Sequence, residues 1–179
     1  MELLLHACCG PCAAYTTLVF AEEGIQPTLF YANPNIHPYK EWERRRDALK
    51  TLAEIRNLPL LVDEDYALEE FLMETLPLGK DRCLYCYRTR LSKTAQCARD
   101  GGFSAYSTTL LISPYQRHDL LREMGEEIGK QYGVEFLYRD LRPGFRQSQQ
   151  MAREMGLYRQ GYCGCILSEK ERYCKPKKT

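Results

Sequence analysis

The chain has 179 residues, 44% of them hydrophobic and 27% charged, with a formal net charge of +1 at neutral pH. That length and composition suit a folded domain with its own core and exclude a disordered or low-complexity chain. A net charge near zero excludes a nonspecific polyanion binder, and no stretch approaches the roughly 20 apolar residues of a membrane-spanning helix.

Strand and helix alternate from end to end. Glu2–Leu5 reads as a short apolar strand, followed by a Cys/Gly/Pro turn and a helix over about Ala13–Glu23 that Gly24 closes. Thr28–Ala32 is a second strand. After the Asn33–Pro38 loop, Tyr39–Arg56 reads as a helix, with Trp42, Leu49, Leu52, Ala53 and Ile55 at near-helical spacing. Leu58–Val62 is a third strand and Ala67–Leu76 a short helix. Cys83–Arg99 is a further helix, closed by Gly101-Gly102. Ala105–Ile112 is a strand that ends at Ser113-Pro114; helix Tyr115–Gln131, strand Val134–Tyr138 and helix Arg146–Met155 follow, then a Cys-bearing tail. The expectation is an α/β fold, a parallel sheet with helices on both faces, forming a single domain over residues 1–179 with a Cys-bearing C-terminal segment from about 157. In such sheets ligands sit beyond the carboxyl ends of the strands, where the strand order reverses. The turn after the first strand and Ser107–Ser113 at the end of the fourth are placed to meet there.

Nine cysteines are present. The short run Leu3-Leu4-Leu5 is no signal-peptide core and has no basic segment before it, so a cytoplasmic protein with reduced thiols is expected. Clustered cysteines in that setting point to metal binding or redox chemistry, not structural disulfides. Three groups stand out: Cys8-Cys9-Gly10-Pro11-Cys12, Cys83-Leu84-Tyr85-Cys86 and Cys163-Gly164-Cys165. Thiolates of the first face the positive end of a helix, and the second places two sulfurs on one face of a helix start. Together these two groups can supply the four thiolates of a [4Fe–4S] cluster. The rivals are a structural zinc site, against which the vicinal Cys8-Cys9 pair argues, and a thioredoxin-like dithiol at Cys9 and Cys12. The third group can ligate a second metal, act as a redox pair or fix the tail; Cys97 and Cys174 read as small hydrophobes.

These groups, with Tyr31–Pro38 and the nearby Glu41 and Arg45, Arg82–Arg88, Ser107–Gln116, Leu141–Phe145 and Tyr162–Cys165, resemble the cobalamin-independent (QueH-like) epoxyqueuosine reductase family over nearly the whole chain. The resemblance implies a fold related to the PP-loop nucleotide α-hydrolases. Cys8–Cys12 replaces their Ser/Gly-rich phosphate loop, which argues against ATP use and against a tRNA sulfurtransferase. It also implies the last step of queuosine synthesis, in which the epoxide of epoxyqueuosine in a tRNA anticodon loop is reduced to an alkene by an oxidoreductase fed by an external electron donor. By motif position Cys8, Cys9, Cys83 and Cys86 carry the [4Fe–4S] cluster, and Cys12 is left for a second metal, an iron. Cys163, Cys165, His37 and Tyr85 are the expected catalytic residues, and His6 is a further proton-donor candidate. Asn33, Asn35, Arg88, Thr108, Thr109 and Arg142 are expected at the substrate. RNA contact is expected from Arg44-Arg45-Arg46, Arg88 with Arg90, Arg139 with Arg142 and Arg146, and Lys175–Lys178. The alternative from another class is a zinc-stabilised nucleotide- or RNA-binding module without catalysis.

Overall fold

A computed structural model of the protein describes residues 1–174; the basic run Lys175–Lys178 lies outside the described residues. Five short strands form one wholly parallel sheet: β1 Leu3–His6, β2 Thr28–Tyr31, β3 Leu60–Val62, β4 Ala105–Thr108 and β5 Glu135–Phe136, in the order β3-β2-β1-β4-β5. β1 is central and buried along its whole length, which is why its sequence is a continuous apolar run and not an alternating one.

The pleat divides the core in two. Leu3 and Leu5 point to the face covered by α1 (Gly10–Glu22), α2 (Tyr39–Arg56) and α6 (Phe145–Glu154), where they pack with Phe20, Trp42, Leu49 and Leu52. Leu4 points to the opposite face, with Phe30 and Tyr106. There α4 (Arg82–Asp100) and α5 (His118–Tyr132) supply Leu91, Ala95, Leu121 and Ile128. The short α3 (Leu68–Thr75) precedes α4, and α7 (Ile166–Tyr173) closes the described chain. Among the described residues no helix is long and apolar enough to cross a membrane.

Three boundaries depart from the sequence reading. The fourth strand stops at Thr108, opposite His6 at the end of β1, because the Thr108 hydroxyl accepts the Leu110 amide at 3.1 Å and winds Thr109–Ile112 into a 3-10 turn. α1 starts at Gly10, three residues early, with Pro11 in its first turn, so Cys12 lies inside the helix. α5 starts at His118, after a turn in which Gln116 donates its amide to the Ser113 carbonyl at 3.3 Å. α7 was not expected. Its N-cap is Cys165, whose sulfur accepts the Ser168 amide at 3.3 Å, a role usually filled by Ser, Thr, Asp or Asn.

Candidate metal and substrate site

The order of the sheet reverses between β1 and β4, and the turns leaving these two strands meet there. The Cys8 amide donates to Thr109 Oγ1 at 3.2 Å, and that hydroxyl lies 3.5 Å from Cys8 Sγ. The chain then enters α1 through Gly10, where a Cβ would stand 2.8 Å from the Ala48 carbonyl oxygen, so only glycine lets α1 sit this close to α2. Cys9 occupies the N-cap, and the sulfurs of Cys8, Cys9 and Cys12 all lie within 4.8 Å of one another, with Cys8 and Cys9 3.7 Å apart.

Hydrogen bonds from the Cys12 and Cys9 thiols hold Cys8 well below the ordinary thiol range. Bonding to Cys8, then to Cys9, holds Cys12 well above it, while burial pushes Cys9 up. The three sulfurs thus form one hydrogen-bonded group in which Cys8 is the most acidic, a soft-donor pocket suited to a thiophilic cation.

Behind them sits a buried polar relay. Asn33 donates Nδ2 to the Ala7 carbonyl at 2.9 Å and accepts from His6 Nε2 at 3.2 Å, while His6 Nδ1 takes the Thr108 hydroxyl at 2.9 Å. Burial, with the nearby Arg90 charge, lowers His6 to about 4, so its ring is neutral at physiological pH.

The second cysteine pair stands on the first turns of α4, with Cys83 packed against the core group that holds Cys8, Cys9 and Cys12. Burial raises Cys83 and pushes Cys86 up to about 12. Cys163 and Cys165 lie in their electrostatic field and are brought there by a strap of buried polar groups. Arg45 pairs with Glu41 at 2.7 Å and donates to the carbonyls of Cys163 at 2.7 Å and Tyr162 at 2.9 Å. His37 donates its amide to the Gly164 carbonyl at 2.8 Å, receives the Ile166 amide on Nδ1 at 3.3 Å and donates from Nε2 to the Pro34 carbonyl at 3.0 Å. Tyr162 donates its hydroxyl to the His37 carbonyl, and Tyr158 donates to Glu41 at 2.6 Å.

A cavity of about 530 Å³ opens over these groups, lined by Cys8, Cys12, Arg90, Thr109 and Cys163. Its outer wall is aromatic and amide-rich: Tyr115, Phe145 and Tyr162 with Gln116, Gln149 and Gln160. Tyr115 and Phe145 meet edge to face with ring centroids 5.9 Å apart, and the buried Gln160 Oε1 has no hydrogen-bond partner. A second hollow of about 560 Å³ behind β3, lined by Lys50, Glu54, Asn57–Leu60 and Val62, contains no cysteine or histidine.

The expected site residues distribute unevenly over this geometry. Cys8, Cys12, Thr109 and Cys163 line the cavity; Cys9, Thr108 and Asn33 support it from behind. Asn35 is buried, its Nδ2 close beneath Gly164, where a Cβ would stand 3.1 Å away. Tyr85 leans edge-on against Phe71 at 6.0 Å and faces a small hollow with Pro34 and Lys93, away from the cavity. Arg88 pairs with Glu127 at 3.2 Å and Arg142 with Asp140 at 2.6 Å, and neither lines the cavity. Two arginines expected on an RNA surface are instead inside the protein: Arg45 is 1% and Arg90 2% exposed. The cause is spacing, since each lies four residues after an anionic or sulfur partner on the same helix face, Glu41 and Cys86. Tyr115 and Gln116 belong to a segment that carries the family resemblance but were given no site role, and Gln149 and Gln160 none either, because nothing in their local sequence separates a cavity wall from a solvated turn.

A family model described as epoxyqueuosine reductase QueH matches residues 3–171. The chain is 37% identical over 175 residues to the epoxyqueuosine reductase QueH of Dehalococcoides mccartyi, covering 98% of this chain and 96% of that protein. It is 35% identical over 180 residues to that of Thermotoga maritima, covering 95% and 91%, and 34% identical over 181 residues to that of Streptococcus pyogenes serotype M1, covering 94% and 71%. Among solved structures, a predicted subunit of tRNA methyltransferase from Methanocaldococcus jannaschii superposes with a TM-score of 0.57 over 86% of this chain and 76% of that one. At 13% identity this likeness shows the fold alone.

Proposed function

The chain belongs to the epoxyqueuosine reductase QueH family, and from that premise we propose that its cysteines hold a [4Fe–4S] cluster and an adjacent iron at the floor of the cavity, where the epoxide of epoxyqueuosine in a tRNA anticodon loop is reduced. The enzyme is an oxidoreductase of queuosine biosynthesis, and the non-catalytic zinc module considered from sequence falls away with that membership. Converting the epoxide to the cyclopentene consumes two electrons and two protons and releases water. The electrons come from an external donor. We place the reaction in the cytoplasm, where thiols stay reduced.

The observation that carries the reading is the convergence of Cys8, Cys9 and Cys12, sulfurs within 4.8 Å of one another, on a cavity that Cys163 also lines. The donors fit the group. All are sulfur, and a buried cation stands beside Cys86, as anionic thiolate centres require. Cys8, Cys9, Cys83 and Cys86 would hold the cluster, leaving Cys12, with Cys163 or Cys165, for the second iron. Bound there, the two groups supply single electrons and Lewis acidity toward the epoxide oxygen.

The protein's own residues do the rest. The aromatic wall of Tyr115, Phe145 and Tyr162 offers faces on which a splayed base can stack. The free Gln160 Oε1 offers an acceptor for a base N–H or a ring hydroxyl. His37 has both ring nitrogens engaged and is neutral at physiological pH, so we assign it to positioning the Cys163–Cys165 loop, not to proton donation. The two protons are drawn from the cavity side, since the Tyr162 hydroxyl is already committed to the His37 carbonyl. Arg117, Arg146 and Arg172 are exposed and have no carboxylate partner among the described residues. Arg172 lines the cavity, and the other two adjoin the lining residues Gln116 and Phe145, so we assign these three to the anticodon phosphates. Because the site draws on β1, α4 and the segment before α7, we read residues 1–179 as one catalytic domain.

Anaerobic purification followed by iron and acid-labile sulfide analysis tests the reading. A brown protein with about five iron to four acid-labile sulfide is expected; a colourless protein with stoichiometric zinc would overturn the cluster.

A further inference from the structure

Two arginines are almost wholly buried in this protein, and they solve the problem of a buried charge differently. Both sit four residues after their partner on a helix. In α2, Arg45 Nε meets the Glu41 carboxylate at 2.7 Å. In α4 the corresponding place is taken by a sulfur: Arg90 Nη2 donates to Cys86 Sγ at 3.0 Å, and Nε donates to the Cys86 carbonyl at 3.1 Å. Arg90 makes no ion pair with any carboxylate among the described residues. The acidic groups in its field are the thiols of Cys86, Cys163 and Cys8, one from each cysteine group of the site, and the Tyr87 hydroxyl. It also lines the cavity, between Cys8 and Cys163.

A guanidinium out of water without a compensating anion costs several kcal/mol or more. The fold tolerates Arg90 only if negative charge accumulates on the sulfurs around it. Arginine suits this place better than lysine, because it never loses its proton and its fork fixes two bonds to one residue at once.

We propose that Arg90 is the built-in counter-cation of the cysteine centre, a positioning residue that fixes the Cys86 sulfur and sets the reduction potential of the group these cysteines hold. The inference rests on the iron–sulfur reading above. A positive charge and an N–H···S bond both favour the form of a thiolate-bound cluster that carries the extra electron, so Arg90 raises the potential and makes the centre reducible by the external donor. It exchanges no proton and need not touch the substrate.

The test uses the full chain, reconstituted anaerobically as parent, Arg90→Gln and Arg90→Lys. Iron and sulfide content, a potentiometric titration followed by electron paramagnetic resonance, and far-ultraviolet circular dichroism are measured for each. All three should load equally. The midpoint of Arg90→Gln should fall below the parent's. Arg90→Lys keeps the charge and loses the fork, so its midpoint should fall less, with altered g-values. A loaded Arg90→Gln with the parent's midpoint overturns the proposal. If that variant unfolds, Arg90→Lys decides alone: parent midpoint together with parent g-values overturns it. Loss of iron uptake in either variant with a native dichroism spectrum also overturns it, because Arg90 would then be a condition of metal binding and not a tuner of the loaded centre. Unfolding of both would make Arg90 a purely structural residue. A parent chain that takes up no iron or sulfide is a separate result and defeats the cluster reading itself.

Discussion

Arg45, on the second turn of α2, donates to the backbone carbonyl of Cys163 at 2.7 Å, across 118 residues of sequence, and so ties the last cysteine group to the helix beside the first. The same guanidinium carries the Tyr162 carbonyl and stacks over the Tyr162 ring at 5.4 Å. Since Glu41 is its counter-charge and also accepts from Tyr158, two adjacent turns of α2 hold the segment from Tyr158 to Cys163. Removing Arg45 leaves Glu41 buried and unpaired. Arg45→Met should cost about 3–5 kcal/mol in anaerobic urea denaturation. The double variant Arg45→Met/Glu41→Leu should recover most of that stability yet stay inactive, because the loop has lost its tether; recovery of turnover would show that the strap is not needed.

Cys83 and Cys86 lie on the opening turns of α4 and outside the sheet. Replacing either with Ser should abolish iron binding and activity while leaving circular dichroism near native, since Cys83 only packs against the margin of one core cluster and the other is built without either residue. Global unfolding instead would make the metal structural.

Much of this arrangement was legible in the sequence, and the exceptions share one physical cause. The alternation of strands and helices followed from hydrophobic periodicity, and α2 and α4 are found within a residue of where the pattern places them. The cysteine groups stood out by spacing alone. Periodicity says which face of a helix is apolar, but not which charged residue on that face is drawn inside. Arg45 therefore looked like the middle of a basic run, and Arg90 like a partner of Arg88. The usable signal was the four-residue step from Glu41 and from Cys86. α7 escaped for a similar reason: its cap is a cysteine sulfur, which no capping preference anticipates. The walls of the cavity were illegible because they are assembled from stretches far apart in the chain, among them those of Tyr115, Phe145 and Gln160.

Cys163 and Cys165 are held by the strap, apart from the tight Cys8, Cys9 and Cys12 group. Ser variants at these two positions should retain four iron and four sulfide per chain but lose turnover; a fully active double variant would reduce the pair to a role in the fold of the tail.

His37 gives the strap a pH dependence. Burial lowers it to about 4, against an ordinary value near 6.5, so the unfolded chain binds a proton that the native protein refuses. Its contribution is therefore fully present above pH 6.5 and is lost as pH falls toward 4, by roughly 2 kcal/mol after allowing for partial solvent screening. Protonation of Nδ1 also removes the acceptor for the Ile166 amide at the start of α7. Stability measured from pH 7 to 4.5 should fall less steeply in His37→Gln than in the parent; equal slopes would place the acid sensitivity elsewhere.

The RNA-facing charge should be concentrated at the mouth of the cavity. Three arginines away from the mouth are already neutralised within the protein, Arg88 by Glu127, Arg139 by Glu23 and Arg142 by Asp140, while the exposed Arg44, Arg153 and Arg159 have no carboxylate partner among the described residues. A net charge of +1 leaves few cations for a whole tRNA, whose binding scales with the number of phosphates neutralised. Recognition should therefore be local to the anticodon arm. An excised stem-loop bearing epoxyqueuosine should be reduced about as efficiently as intact tRNA, and salt should weaken both alike. Each of Arg117→Gln, Arg146→Gln and Arg172→Gln should raise KM with little change in kcat, and should lower the slope of log affinity against log salt by about one contact. Arg88→Gln and Arg142→Gln serve as controls and should leave both nearly unchanged. A stem-loop that stays inert while full tRNA reacts, or controls that weaken binding as much as the mouth variants, would move the RNA contact to another face.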